Sequence, residues 1–253
     1  MCTVGFSTGA LAYEDFTRAL QLLSPTRANA VELSALRAVE LPGLLEALPS
    51  MFGALQERYA YISFHAPTNF TDELDMVTQL TQVARREMNI IVHPDCIQDR
   101  SLWRQLGSHL CIENMDARKP TGRTATELAG FFADLPQAQL CFDIAHARQV
   151  DPTMTEAACI LSQFGDRLAQ VHMSEVNSRG KHFAMSFGAK NAYEPFSDAM
   201  SKVPVILESV VDESGIEKEI DAAVKILFHH AGYYTQTESS HEEAVELAYV
   251  SRG

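Results

Sequence analysis

No two cysteines in this sequence are spaced Cys-x-x-Cys, and the five present (Cys2, Cys96, Cys111, Cys141 and Cys159) are an odd number. A framework of paired disulfides is not expected from such a set. Cys111 and Cys141 sit inside apolar runs, where a thiol packs as a small hydrophobe. A reduced, cytoplasmic setting is the expectation. Positive charge is scarce as well: 20 Lys and Arg against 33 Asp and Glu give a formal net charge of −13. A nucleic-acid partner normally requires a basic face, and the local groups Arg118/Lys119/Arg123 and Arg179/Lys181 are small. No apolar run approaches the roughly 20 residues of a membrane span, and the first residues do not read as a secretion signal. Neither a membrane nor a nucleic acid is therefore an expected partner. There is no internal repeat, no Pro/Gly-rich linker, and no Gly-rich phosphate turn after the first strand, where an open doubly wound sheet would carry one.

What the sequence does contain is one short phrase, repeated. An apolar run of strand length ends in a side chain able to bind a metal. Leu140 to Ala147 (Leu-Cys-Phe-Asp-Ile-Ala-His-Ala) and Gln170 to Glu175 (Gln-Val-His-Met-Ser-Glu) show it most plainly. The runs 3–6, 30–33, 60–64, 89–92, 109–112, 139–142, 168–171 and 204–207 read as eight strands. Helical spacing separates them. Phe16, Leu20 and Leu23 mark a helix over 13–23, and another ends near Pro49. A long one opens at Thr71, with Leu74, Val77, Leu80 and Val83 on one face. Thr124-x-x-Glu127 and Thr153-x-x-Glu156 read as capping boxes. Residues 174–188 read as a polar loop, and 217–229 as the closing helix. Eight strands alternating with helices predict a single-domain (β/α)8 TIM barrel over residues 1–230. Residues 231–253 form a C-terminal tail, either helical or disordered.

In such a barrel the C-terminal strand ends converge on one face, and that face carries the chemistry. The predicted strand ends are His65, His93, Glu113, Asp143, His172 and Glu208. His146 follows Asp143 by one turn, and His182 lies in the loop after the seventh strand, so five of the nine histidines belong to the predicted mouth. Six consecutive strands ending in His, Glu or Asp would crowd like charges without a cation to relieve them. Mixed imidazole and carboxylate donors suit Zn²⁺, Mn²⁺, Fe²⁺ or Co²⁺. Glu32, alone within the second strand, is either a partner of one of these groups or a surface-facing residue.

These strand ends resemble the xylose isomerase-like superfamily, which includes sugar isomerases and epimerases and endonuclease IV. The resemblance rests on His65-Ala-Pro, Val92-His93-Pro94, Glu113-Asn114, Cys141-Phe-Asp143-Ile-Ala-His146-Ala and Val171-His172. In the isomerase and epimerase branch it implies one divalent metal held by Glu113, Asp143, His172 and Glu208. It further implies that Glu113 and Glu208 shuttle a proton beside a carbonyl, through a metal-stabilised enediolate. His146 and Arg179 would then contact substrate oxygens. In the endonuclease IV-like and multinuclear oxidase branch, His65, His93, His146 and His182 join the ligands, and two or three ions are held. There the chain departs from the pattern. Gly180 stands where a loop Asp would be, and Ser186-Phe187-Gly188 where Gly-Glu-Gly would be.

The main expectation is a metal-dependent isomerase or epimerase acting on a small sugar or keto acid. The alternative is a multinuclear metal enzyme for phosphoester hydrolysis or oxygen chemistry. A small-molecule substrate fits the acidic composition in either case, and a homo-oligomer is compatible with it.

Overall fold

The computed structural model describes residues 2–228, so the expected tail lies outside the described residues. Eight parallel strands close into a barrel, each paired with its neighbours in sequence. They are β1 (Val4–Ser7), β2 (Ala30–Ser34), β3 (Tyr61–His65), β4 (Asn89–Val92), β5 (Leu110–Glu113), β6 (Gln139–Asp143), β7 (Leu168–Met173) and β8 (Val205–Leu207), with β8 closing on β1. Helices fill the outer layer and cover one face of every strand. That double burial is why the strands read as unbroken apolar runs rather than alternating ones. Closure between β1 and β2 needs a residue without a side chain. A Cβ built on Gly5 would fall 1.7 Å from the carbonyl oxygen of Ala30.

Two cores result. Outside the barrel wall, Phe6, Leu33, Phe64, Val92, Ile112, Phe142 and Leu207 face the helices and are fully or almost fully buried. Inside it, Ile91, Cys111 and Cys141 make a small apolar floor. Above that floor the interior turns polar, with Ser7, Glu32, Ser34, Ser63, Gln170 and His172 all buried.

Several helix boundaries differ from the sequence expectation, each for a local reason. The helix expected to end near Pro49 runs Leu41–Arg58. Proline inside a helix costs about 3 kcal/mol, but Pro49 is on the exposed side, while Leu44, Leu48 and Leu55 are buried. The helix expected to open at Thr71 starts at Glu73, because the Asp72 carboxylate accepts from Asp75 N. It buries Met76 with Val77, Leu80 and Val83, and leaves Leu74 57% exposed in its first turn. The helix expected from Tyr13 starts at Phe16, where Asp15 caps it. At Thr153 no capping box forms. Asp151 accepts from Glu156 N instead, and the helix begins at Thr155. At Thr124 the hydroxyl does accept from Glu127 N, but the Glu127 carboxylate turns to Arg123.

The loop 174–188 is not wholly irregular. Glu175–Val176 and His182–Phe183 pair as a small antiparallel hairpin, which carries His182 to the barrel mouth. Among the described residues no helix is long and apolar enough to cross a membrane.

The outer core supplies a direct test. Phe132 is 3% exposed, with its ring 4.7 Å from that of Phe164. Phe132→Ala should lower the unfolding free energy by about 3–5 kcal/mol. Urea denaturation followed by the fluorescence of Trp103, the single tryptophan, measures it; a loss below about 1 kcal/mol would mean the site collapses around the deletion.

Candidate metal centre

Parallel strands in register deliver their last side chains to one level. Asp143 on β6 lies opposite His172 on β7, and Ser34 on β2 opposite His65 on β3. Asn114 locks the neighbouring pair of ends. Its amide donates to Asp143 O, and its carbonyl oxygen accepts from Asp143 N, both at 2.8 Å. The Asp143 carboxylate in turn caps the next helix by accepting from His146 N at 2.7 Å.

The centre of this level is Glu113, 1% exposed. Its Oε1 lies 3.3 Å from Nδ1 of both His146 and His172. Its Oε2 lies 3.4 Å from His65 Nε2 and 3.3 Å from His93 Nε2, yet makes no hydrogen bond. Asp143 Oδ2, also buried, makes none either. Glu208 reaches in from the end of β8, with Oε1 3.6 Å from His172 Nδ1 and Oε2 3.5 Å from His182 Nδ1. His182 is further held by Ser174 Oγ at 2.9 Å.

Two groups of donors follow. Glu113, Asp143, His172 and Glu208 each offer one atom, all within 4.8 Å of one another, and so do His65, His93 and Glu113. Three carboxylates against one imidazole in the first group is a costly burial unless a cation balances it. Together with the unbonded oxygens of Glu113 and Asp143, that donor set fits a divalent ion. The carboxylates and imidazoles suit Zn²⁺, Mn²⁺, Fe²⁺ or Co²⁺, and the carboxylates Mg²⁺ as well.

Without a cation the groups compensate one another. Burial works to raise Glu113, but the neighbouring His172 and His93 outweigh it and hold its carboxyl well below the usual range. Burial, with Glu113 and Glu32 close by, pushes Glu208 up. Asp143 is pushed up to about 6 by burial and by the Glu208 and Glu113 carboxylates. His146 resists its burial and rises to about 10, because Asp143 and Glu113 face it. His182 falls to about 4 through burial and the charge on His146.

Above the donors opens a cavity of about 1010 Å³. His65, His93, Glu113, His146, His182 and Glu208 line it, so imidazoles and carboxylates from both donor groups reach the space where a ligand would sit. Arg179 does not. Its side chain is exposed and outside the cavity lining, while its backbone bonds to Asn177 and Arg118. Arg118, with Arg37, does line the cavity, and both oxygens of buried Asp116 grip the Nε–Nη2 edge of the Arg118 guanidinium. It occupies space freed by Gly180, where a Cβ would fall 1.7 Å from Arg118 Nη2. Sequence reasoning left two further residues unassigned. Glu32 is fully buried beneath His172, 3.0 Å from its Nε2, and Gln170 lies beside it. Gln170 stands two residues before His172 on the same strand, so both side chains point to the same face. That parity was the available signal.

No protein-family model and no curated protein sequence matches the chain. Solved structures do. A xylose isomerase domain protein from Alicyclobacillus acidocaldarius superposes with a TM-score of 0.63 at 13% identity, covering 88% of this chain and 98% of that one. A xylose isomerase domain containing protein from Salmonella typhimurium gives 0.60 at 14%, covering 90% and 97%. A xylose isomerase-like TIM barrel protein from Mycobacterium smegmatis, in complex with magnesium, gives 0.54 at 11%, covering 90% and 98%. The chain shares the (β/α)8 barrel fold of these structures. At these identities the likeness establishes the barrel, and the reaction has to be argued from the site.

The one imidazole of the first donor group predicts a proton count. Burial alone would lower His172, but the Cys141, Glu208, Glu32 and Glu113 side chains raise it well above its usual value. These neighbours favour its protonated form in the cation-free protein. A divalent ion taking its Nδ1 must displace that proton, so affinity should rise with pH. Calorimetric titration with Zn²⁺ at pH 7, in buffers of different ionisation enthalpy, should show release of at least one proton per ion. Zero release would place the ion elsewhere.

Proposed function

We propose that this chain is a divalent-metal-dependent isomerase or epimerase of a small sugar or keto acid. One observation carries the reading. Glu113, Asp143, His172 and Glu208 bring four donor atoms within 4.8 Å of one another, and two of them, Glu113 and Glu208, line a cavity sized for a small molecule. When bound there, the ion would polarise a carbonyl and ease loss of a proton from the adjacent carbon.

The chain's own groups do the rest. Glu113 and Glu208 both line the cavity and approach the same nitrogen, His172 Nδ1, at 3.3 and 3.6 Å. Their environments push them apart: Glu113 is held ionised, and Glu208 is biased toward its protonated form. A pair set apart in this way can take a proton at one face of a substrate carbon and return one at the other. Burial of the floor limits exchange of that proton with water. His146 and His182, whose rings are 5.4 Å apart, supply hydrogen bonds to substrate oxygens. Arg118, rather than Arg179, supplies the cationic contact at the wall.

A second reading has its own observation. His65, His93 and Glu113 form a second donor group that shares Glu113 with the first. It favours a dinuclear enzyme of hydrolytic or oxidative chemistry. A third ion would need a loop carboxylate at position 180, and there Arg118 stands against glycine.

Both readings are tested on one preparation. Aldoses, ketoses and 2-keto acids are incubated in D₂O with the metal-loaded protein, and deuterium entering beside the carbonyl is read by NMR. Glu208→Gln should lower exchange by at least about a hundredfold with the fold intact by circular dichroism. A fully active variant would remove Glu208 from the proton path. Elemental analysis of wild type and His65→Ala decides the ion count. One ion retained in both supports the isomerase. Two ions falling to one moves the assignment to dinuclear chemistry.

A further inference from the structure

Beneath the donor level lies a carboxylate that the proposed reaction does not use. Glu32 is wholly buried inside the barrel at the middle of β2. Its Oε2 collects three neighbours: His172 Nε2 at 3.0 Å, Gln170 Nε2 at 2.7 Å and Ser63 Oγ at 3.2 Å. Its Oε1 has no partner. A buried carboxylate whose one oxygen accepts from Gln170 and Ser63 and faces an imidazole nitrogen is held as an anion, and such an anion needs positive charge close by. His172 is the neighbour that can supply it, by holding a proton on Nε2 or by passing on the charge of an ion bound at Nδ1.

The second nitrogen makes this consequential. Nδ1 faces Glu113 and Glu208, so an ion held by those carboxylates must meet a bare Nδ1, and the imidazole proton must sit on Nε2. Gln170 works against that arrangement. Tyr61 Oη donates to Gln170 Oε1 at 2.8 Å, and Asn89 donates to Tyr61 Oη at 3.0 Å. The Gln170 amide is thereby fixed with its NH₂ turned toward Glu32, and that NH₂ also lies 2.8 Å from His172 Nε2. A donor at Nε2 favours the tautomer with the proton on Nδ1, which would block the ion. The Glu32 charge decides between the two.

We propose that Glu32 is the positioning residue that keeps the His172 proton on Nε2, leaving Nδ1 open to a divalent cation at the Glu113–Asp143–Glu208 face. The inference rests on the divalent-metal reading above and extends it to a residue two layers from the substrate. A carboxylate behind a metal-bound imidazole fixes its orientation and raises its basicity, and loss of such a partner typically weakens metal affinity ten- to a hundredfold.

The test uses Zn²⁺ and the full chain. Glu32→Gln keeps the shape and removes the charge. Calorimetry should show Zn²⁺ binding weakened by about ten- to a hundredfold, with a circular dichroism spectrum unchanged at the titration temperature. Ser63→Ala removes a donor to the same oxygen without touching the imidazole, and should leave the affinity close to wild type. Unchanged affinity in Glu32→Gln overturns the proposal, even if its melting temperature falls. An equal loss in Ser63→Ala also overturns it, because disturbed packing rather than charge would then be the cause. A measurement on wild type needs no variant: in the Zn²⁺-loaded protein the ¹⁵N shifts of His172 should show Nε2 protonated. A proton on Nδ1 overturns the proposal directly. If wild type binds none of Zn²⁺, Mn²⁺ and Mg²⁺, the divalent-metal reading itself falls, and Glu32 falls with it. Firm wild-type binding with an indifferent Glu32→Gln removes Glu32 alone.

Discussion

The carboxylate of Glu113 is the interaction on which the mouth of this barrel depends. Four imidazoles, from His65, His93, His146 and His172, stand within 3.4 Å of its two oxygens. One oxygen faces the first donor group and the other faces the second, so the residue belongs to both. A carboxylate buried this deeply would ordinarily be neutral. Here the surrounding imidazoles keep it charged, and it in turn keeps His146 cationic. Protons on the imidazoles thus supply the positive charge that, on the divalent-metal reading proposed above, an ion would supply.

The barrel makes such a cluster attainable. Parallel strands end at one level, so each contributes a single side chain to the ring, and none of these residues needs a long loop to reach it. The floor of Ile91, Cys111 and Cys141 closes the bottom. The polar layer between floor and ring is tied crosswise, from Asn89 through Tyr61 and Gln170 to Glu32 and His172. That thread joins four different strands. It ties the ring from below through buried hydrogen bonds, with only Glu32 Oε1 left without a partner in the thread.

Much of this was legible in the sequence, because burial on both faces leaves an uninterrupted apolar run and a polar strand end then stands out sharply. The eight strands, the closed barrel and the positions of His65, His93, Glu113, Asp143, His172 and Glu208 followed from that contrast. Helix starts were less legible. Capping is decided by which nearby oxygen reaches the free N–H groups, and Asp151 displaced Thr153 in that contest. Glu32 was ambiguous because a lone acid in a strand carries no mark of which face it is on. Its pairing opposite Ser63, with Gln170 above the same floor, exists only once the barrel closes. The sequence pointed to Arg179 as a substrate contact, but the hairpin after β7 leaves that side chain outside the cavity, and Arg118 lines it instead, in the space left by Gly180.

Charge at the mouth bears on what can enter. Arg37, Arg118 and Lys181 line the cavity, yet Arg37 is held by Glu14 and Glu40, and Arg118 by Asp116. Their fields are largely spent inside the protein. A polyanion gains its affinity from many phosphates neutralised at once, and this rim, on a chain of net charge −13, offers little for that. A small substrate asks for something different. It needs a few fixed donors and one strongly polarising centre within a volume that excludes bulk water. The cavity provides the imidazoles of His146 and His182, the held guanidinium of Arg118 and the carboxylates of the donor ring, all within about 1010 Å³. The same burial that crowds carboxylates and imidazoles into one ring also limits what can reach it to small molecules.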